Sequence, residues 1–309
     1  MDELLRNQDV RQRTVVRLLS LYACWGTAIP AMKLMVDTVP PVGGAALIFL
    51  LAGFVLATAG RRRVWPRAGQ TRMLALAGVL LLVGGQGLAM VALTAVTASL
   101  GAILAAMIPL WVALLGGLAG VRVTVASWVR FLVGFGGIVI VVLTAPGSAM
   151  GGENWGIAAF GIAPILWATG SLVTANVAGA LDRVCASAVQ LLAGGSALLL
   201  LALCVGDLQP DRWTEVSWPS LGAAIFLLVF DSLIGFMLYT SLLETAPAPL
   251  VSTYAYVTPV IGTLVGVTLL DEPLWIGAVL GGLLVLGAVA LELAGERGES
   301  PVPRSRPAG

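Results

Sequence analysis

An all-α membrane protein is the fold class this sequence predicts: ten transmembrane helices as two inverted five-helix repeats, both termini cytoplasmic. Three observations lead there. Of 309 residues, 59% are apolar and 11% charged, too little charge to cover a water-soluble fold of that length. The apolar residues gather into ten runs of about 20, the length that crosses a hydrocarbon core of roughly 30 Å as a helix. Threaded alternately through a bilayer, those runs leave fifteen of the 17 lysines and arginines on one side.

The first run, Val15–Val36, follows a charged segment (1–14) and is too long for the apolar core of a cleavable signal. Val42–Ala59 starts behind Pro40-Pro41, and Met73–Leu93 follows a loop rich in arginine and carries Gln86. Ser99–Gly120 holds Pro109, and Val123–Leu143 closes the first half, residues 15–143. A Gly-rich outer linker, 144–156, leads to Ile157–Ala178 and Cys185–Gly206. Ser220–Leu242 holds Asp231, Pro249–Leu270 holds Pro259, and Leu274–Ala294 ends the second half, residues 157–294. The tail, 295–309, is polar, rich in proline and expected to be disordered.

Orientation follows from the basic residues. The cytoplasmic side receives the arginines of the N-terminal segment, of the loop from Arg61 to Arg72, and of the tail, whereas the outer side keeps Lys33 and Arg212.

The halves repeat one plan. "ASLGAILAAMIPLWVALLGGL" and "APLVSTYAYVTPVIGTLVGVTLL" each carry small residues at entry and a proline past the middle, with Pro109 and Pro259 150 positions apart. "YACWGTAIP" is echoed by "PILWATGSL", with Trp25 and Trp167 142 positions apart. An odd number of helices per half inverts the second half. Inverted repeats are a signature of secondary transporters, whose substrates bind near the midplane between the halves.

The same residues resemble a known family. Trp25-Gly26, Pro40-Pro41 before "FLLAG", Pro109, "NWG", "LWATGS", "QLLAGGSALLL", "STYAYVTPVIGTLVG" and Asp271-Glu272-Pro273 are similar to the EamA-type branch of the drug/metabolite transporter superfamily. The likeness runs from about Leu18 to Leu293. It implies ten helices, inverted repeats, a central cavity and transport of small metabolites, amino acids or drugs. Relatives often carry an arginine just before "FLLAG"; here that place is Ile48.

Several chemistries are set aside. The chain has no histidine, which removes the commonest general base and metal ligand. Cys24, Cys185 and Cys204 sit in separate apolar runs and suggest neither disulfides nor a thiolate cluster. No phosphate loop or nucleotide motif appears. No enzyme activity, cofactor, metal or nucleic-acid partner is expected.

Lys33, Arg130, Asp231 and Glu292 fall inside the apolar runs. Lys33, Arg130 and Glu292 lie near helix ends and can extend to the interface, and Lys33 also sits where the outer mouth of a cavity would be. Asp231 is the twelfth of 23 residues in its run and cannot reach either side. A carboxylate at that depth costs about 2.5–3.5 kcal/mol on insertion scales, so a cavity, a partner or a proton must compensate. It either ties two helices together or faces a cavity as a site for a proton or a cationic group. Ser252, Tyr256, Pro259, Thr263 and Gly266 share one stripe of the ninth helix, read as cavity wall, with helix packing as the alternative. Gln86 and Gln190 either touch cargo or pin helices. Trp25 and Trp167 are too deep for the interfacial belt, and Tyr239 joins the cavity candidates.

Together these residues predict a secondary transporter, an exporter more than an importer, in the bacterial inner membrane. It moves a small organic solute by alternating access, with protons as the candidate coupling ion through Asp231. An uncoupled facilitator is the rival within the class, and a non-transporting sensor or partner subunit the rival outside it. Partners are the small-molecule substrate and the lipid bilayer, with the chain a monomer or homodimer.

Overall fold

The computed structural model describes residues 2–118, 124–144, 154–177, 181–245 and 254–296. Every regular element among them is helical. Eight helical stretches are long and apolar enough to cross a bilayer: helix 1 (Gln12–Val36), helix 2 (Pro41–Ala59), helix 3 (Ala68–Ala92), helix 4 (Ala98–Leu118), helix 5 (Val125–Thr144), helix 6 (Trp155–Val177), helix 7 (Arg183–Val205) and helix 8 (Trp218–Tyr239). Two shorter apolar helices follow, helix 9 (Val257–Leu269) and helix 10 (Ile276–Leu291). The charged N-terminal segment is helical from Asp2, within the helix that continues to Gly26.

Local chemistry shapes these rods. Pro30 has no N–H for the Gly26 carbonyl, and helix 1 is interrupted at Thr27, whose hydroxyl donates back to the Ala23 carbonyl at 2.6 Å. Pro109 acts likewise on helix 4, which breaks into Ala98–Ala105 and Ile108–Leu118. Pro259 does not: the helix Tyr254–Leu269 runs through it. Its missing bond falls on Ala255, in the first turn of that helix. Helices 3 and 8 each contain nine residues in the wider π-helical form, Val79–Gly87 and Leu227–Gly235. Helix 7 ends on Gly206, whose φ of +76° only glycine adopts without strain.

The halves are related by reciprocal contacts. A methyl on Gly53 would lie 3.0 Å from the Leu192 backbone nitrogen, and one on Gly195 2.9 Å from that of Leu50. Gly53 and Gly195 lie 142 positions apart, as do Leu50 and Leu192. Such paired contacts, each residue meeting the mate of the other's partner, are what a twofold relation between repeats produces. Gly137 and Gly281 also join the halves, each packing against the other's carbonyl. Small residues there let helices 5 and 10 approach backbone to backbone.

Phe49, Met35, Leu100, Leu110 and Phe160 are buried between the helices. Leu51, Phe54, Leu132, Leu203 and Leu283 point outward and are exposed, as expected where lipid is the solvent.

Candidate functional site

The π-helical segments of helices 3 and 8 bring Gln86 and Asp231 together. Gln86 Nε2 donates to Asp231 Oδ2 at 3.4 Å, a bond joining the two repeats. A π-helical turn displaces the side chains that follow it and is found disproportionately at functional positions. From helix 1, Trp25 Nε1 donates to the Asp231 carbonyl oxygen at 3.4 Å, and Gly235 leaves room for the indole edge. Oδ1 of Asp231 has no hydrogen-bond partner among the described residues. The residue as a whole is only partly buried. Asp231 also has no ion-pair partner among the described residues.

Against the Asp231 backbone, through Trp25, lies an aromatic cluster. Trp25 packs on Tyr239 with ring centroids 5.1 Å apart and edge-on against Tyr254 at 4.8 Å, while Tyr239 and Tyr254 meet edge-on at 5.9 Å. Leu18, Leu21 and Leu242 are buried beneath these rings. Tyr254 stands out in the sequence only as one hydroxyl among several; what selects it is its place at the start of the ninth helix, against helix 1.

Other acids hold the two ends of the bundle. At the end where helix 1 finishes, Glu272 is 9% exposed and accepts from Ala98 N at 2.5 Å, Ser99 N at 2.7 Å and Ser99 Oγ at 2.6 Å. It satisfies the unpaired amides that open helix 4. Gly266 makes this possible, since any side chain there would collide with Glu272 and Ser99. Asp207 does the same for helix 2, accepting from Val42 N at 2.9 Å and Gly43 N at 3.3 Å, with Arg212 at 2.7 Å on its other oxygen. At the opposite end Asp182 caps helix 7 and pairs with Arg63 at 2.9 Å. Burial pushes the Asp182 carboxyl up, but the Arg63 hydrogen bond, the amides of Cys185 and Val184 and the Arg63 charge outweigh that and hold it below the usual carboxylate range.

The remaining expected residues fall into three groups. Lys33 Nζ donates to the Leu93 carbonyl at 2.7 Å, so it caps the C-terminus of helix 3. Gln190 donates to Thr174 Oγ1 at 2.7 Å and thereby pins helices 6 and 7. Trp167 packs on Gly85, inside the π-helical part of helix 3. Thr263 presents its carbonyl to Ser99 Oγ at 3.5 Å. Pro109 and Pro259 stand as described above. Ser252 and the side chain of Tyr256 lie outside the described residues.

Comparison with known proteins bears on this geometry. The sequence pattern of the EamA-like transporter family matches residues 13–143 and 154–293. The chain belongs to that family. Among its EamA-like relatives, the uncharacterized inner membrane transporter YedA of Escherichia coli strain K12 is 28% identical over 286 residues, 89% of each chain. The uncharacterized transporter YvbV of Bacillus subtilis strain 168 is 25% identical over 301 residues, covering 91% of this chain and 92% of its own. A crystal structure matches the EamA-like fold with a TM-score of 0.63 at 22% identity, over 94% of this chain and 99% of that one. At that identity the likeness concerns the fold alone.

Proposed function

We propose that this chain is a ten-helix secondary transporter of the inner membrane, with both termini cytoplasmic, that exports a small organic solute by alternating access in exchange for protons. Membership of a transporter family and the inner-membrane relative support the broad class. The observation that carries the finer reading is Asp231, midway along helix 8, with one oxygen held by Gln86 of the other repeat and the other without a partner among the described residues. A carboxylate with one oxygen unpartnered can still accept a proton or a cationic group there. Mid-membrane, an ionised carboxylate is costly unless a cation or proton accompanies it, so empty return with a bare charge is disfavoured and exchange follows.

Everted vesicles from cells producing the protein test this. With a respiratory pH gradient in place, a panel of amino acids, metabolites and amphipathic drugs should include solutes that collapse the gradient. Asp231→Asn, which keeps the shape but cannot titrate, should abolish that collapse, and Asp231→Glu should keep part of it. A full collapse in Asp231→Asn removes the coupling role; silence across the panel in the wild type returns the chain to a non-transporting role.

A further inference from the structure

The N-terminal end of helix 1 carries a groove apart from Asp231. Its volume is about 410 Å³, within the roughly 300–1,000 Å³ of small-ligand sites, and Gln12, Arg13, Val16 and Arg17 line it. Here the chain passes from a charged segment into the first apolar stretch, at the depth where headgroups meet acyl chains.

Arg13 and Arg17 are four residues apart on one helix, about 6 Å along its axis, so they share a face. Neither guanidinium has a hydrogen-bond or ion-pair partner among the described residues, whereas Arg63 is paired with Asp182. Like charges at this spacing repel, and an anion held between them relieves the repulsion. The forked N–H groups of arginine match the oxygens of a phosphate two at a time. The bias of basic residues toward one side of a bilayer explains which side these arginines take; it requires neither the shared face nor the groove.

The wall beside them is apolar. Val15, Val16 and Leu19 are each about half exposed, and Val16 sits in the groove between the two arginines. A soluble anion gains nothing from such a wall. A lipid does, because its acyl chains begin where its phosphate ends.

We propose that this groove holds one anionic phospholipid of the cytoplasmic leaflet. Arg13 and Arg17 take the phosphodiester between them, Gln12 hydrogen-bonds the headgroup, and the acyl chains run along Val16 and Leu19. Anionic lipids of that leaflet are attracted to basic residues at the membrane surface, and here two such residues are fixed in one geometry. The choice of leaflet rests on the orientation proposed above; the site itself does not.

Full-length protein, stripped of lipid in detergent, is titrated with phosphatidylglycerol, and the adducts are counted by native mass spectrometry. One molecule should bind markedly more tightly than those that follow, and phosphatidylethanolamine, which has no net charge, should bind more weakly. Arg13→Gln combined with Arg17→Gln should weaken the first binding step about tenfold or more, the scale of one lost charge-assisted hydrogen bond. Arg61→Gln combined with Arg62→Gln removes two exposed charges outside the groove and should leave that step unchanged. Inorganic phosphate in large excess should not displace the lipid. If the double groove variant does not fold, Arg13→Gln and Arg17→Gln singly should each weaken binding severalfold. Unchanged affinity in the folded groove variants overturns the proposal. So does an equal loss in the Arg61 and Arg62 variant, which would mean diffuse attraction to a basic face. Equal binding of phosphatidylethanolamine, or displacement by phosphate, which would mean a soluble anion's site, overturns it as well. Binding in detergent requires no transport, so the result stands apart from the vesicle assay.

Discussion

Gly78 and Gly161 look alike in the sequence and differ sharply in what surrounds them. A methyl on Gly78 would lie 2.7 Å from the Gln190 Cα, backbone that cannot swing aside, whereas one on Gly161 would meet nothing within 4 Å. Gly78→Ala should therefore destabilise by about 1–3 kcal/mol through overpacking. Gly161→Ala should be neutral or stabilising, because alanine is favoured in a helix by up to about 1 kcal/mol. Thermal unfolding of both variants in detergent checks this; equal melting temperatures would mean the helix 3–helix 7 contact is looser than it looks. The same contrast shows what a sequence conveys at this scale. The depth of Asp231 is a matter of counting residues and was legible. Its bond to Gln86 was not, because it depends on two helices 145 positions apart. The bond from Gln190 to Thr174 across helices 6 and 7 was equally hidden.

At the scale of elements, the acids that follow helices 7 and 9 matter more than their loop positions suggest. Glu272 accepts three hydrogen bonds from the start of helix 4. Glu272→Gln keeps the size but presents an amide N–H₂ to donors, leaving at least one buried donor unpaired. Hydrogen bonds to charged groups contribute about 1.5–3 kcal/mol, so the variant should melt well below the wild type, and Glu272→Asp should not rescue it. A wild-type melting curve for Glu272→Gln would show the clasp to be dispensable. In the sequence Glu272 is an acid beside a proline within a family motif; which helix it caps is a tertiary fact. Pro30, behind the break at Thr27, drew no expectation, whereas the break near Pro109 was readable from its proline. The π-helical segments were not, since their register leaves no mark in composition, and Pro259 warns that one proline pattern in two halves need not produce two equal breaks.

For the whole molecule, the distribution of basic residues predicts the orientation: fifteen of 17 fall on one side of the expected topology. In a background without native cysteines, Arg62→Cys should be protected from a membrane-impermeant thiol reagent in intact cells, and Asn154→Cys should react. Labelling of Arg62→Cys from outside would invert or break the ten-helix arrangement. The broad architecture was legible because hydropathy, repeat spacing and charge are each summed over many residues and agree. How the halves meet was not legible, since it depends on single glycines such as Gly137 and Gly281.

The paired π-helical segments carry a trace of ancestry. Val79–Gly87 and Leu227–Gly235 match at a shift of 148 positions, which sets Asp231 against Val83 and Gln86 against Ile234 in the repeat. Two identical half-length chains would carry every residue twice, and so two acid–amide pairs or none. A duplicated and fused chain escapes that choice, because each copy can mutate alone. One acid facing one amide, with apolar residues at the two matching places, is what such independent change leaves behind.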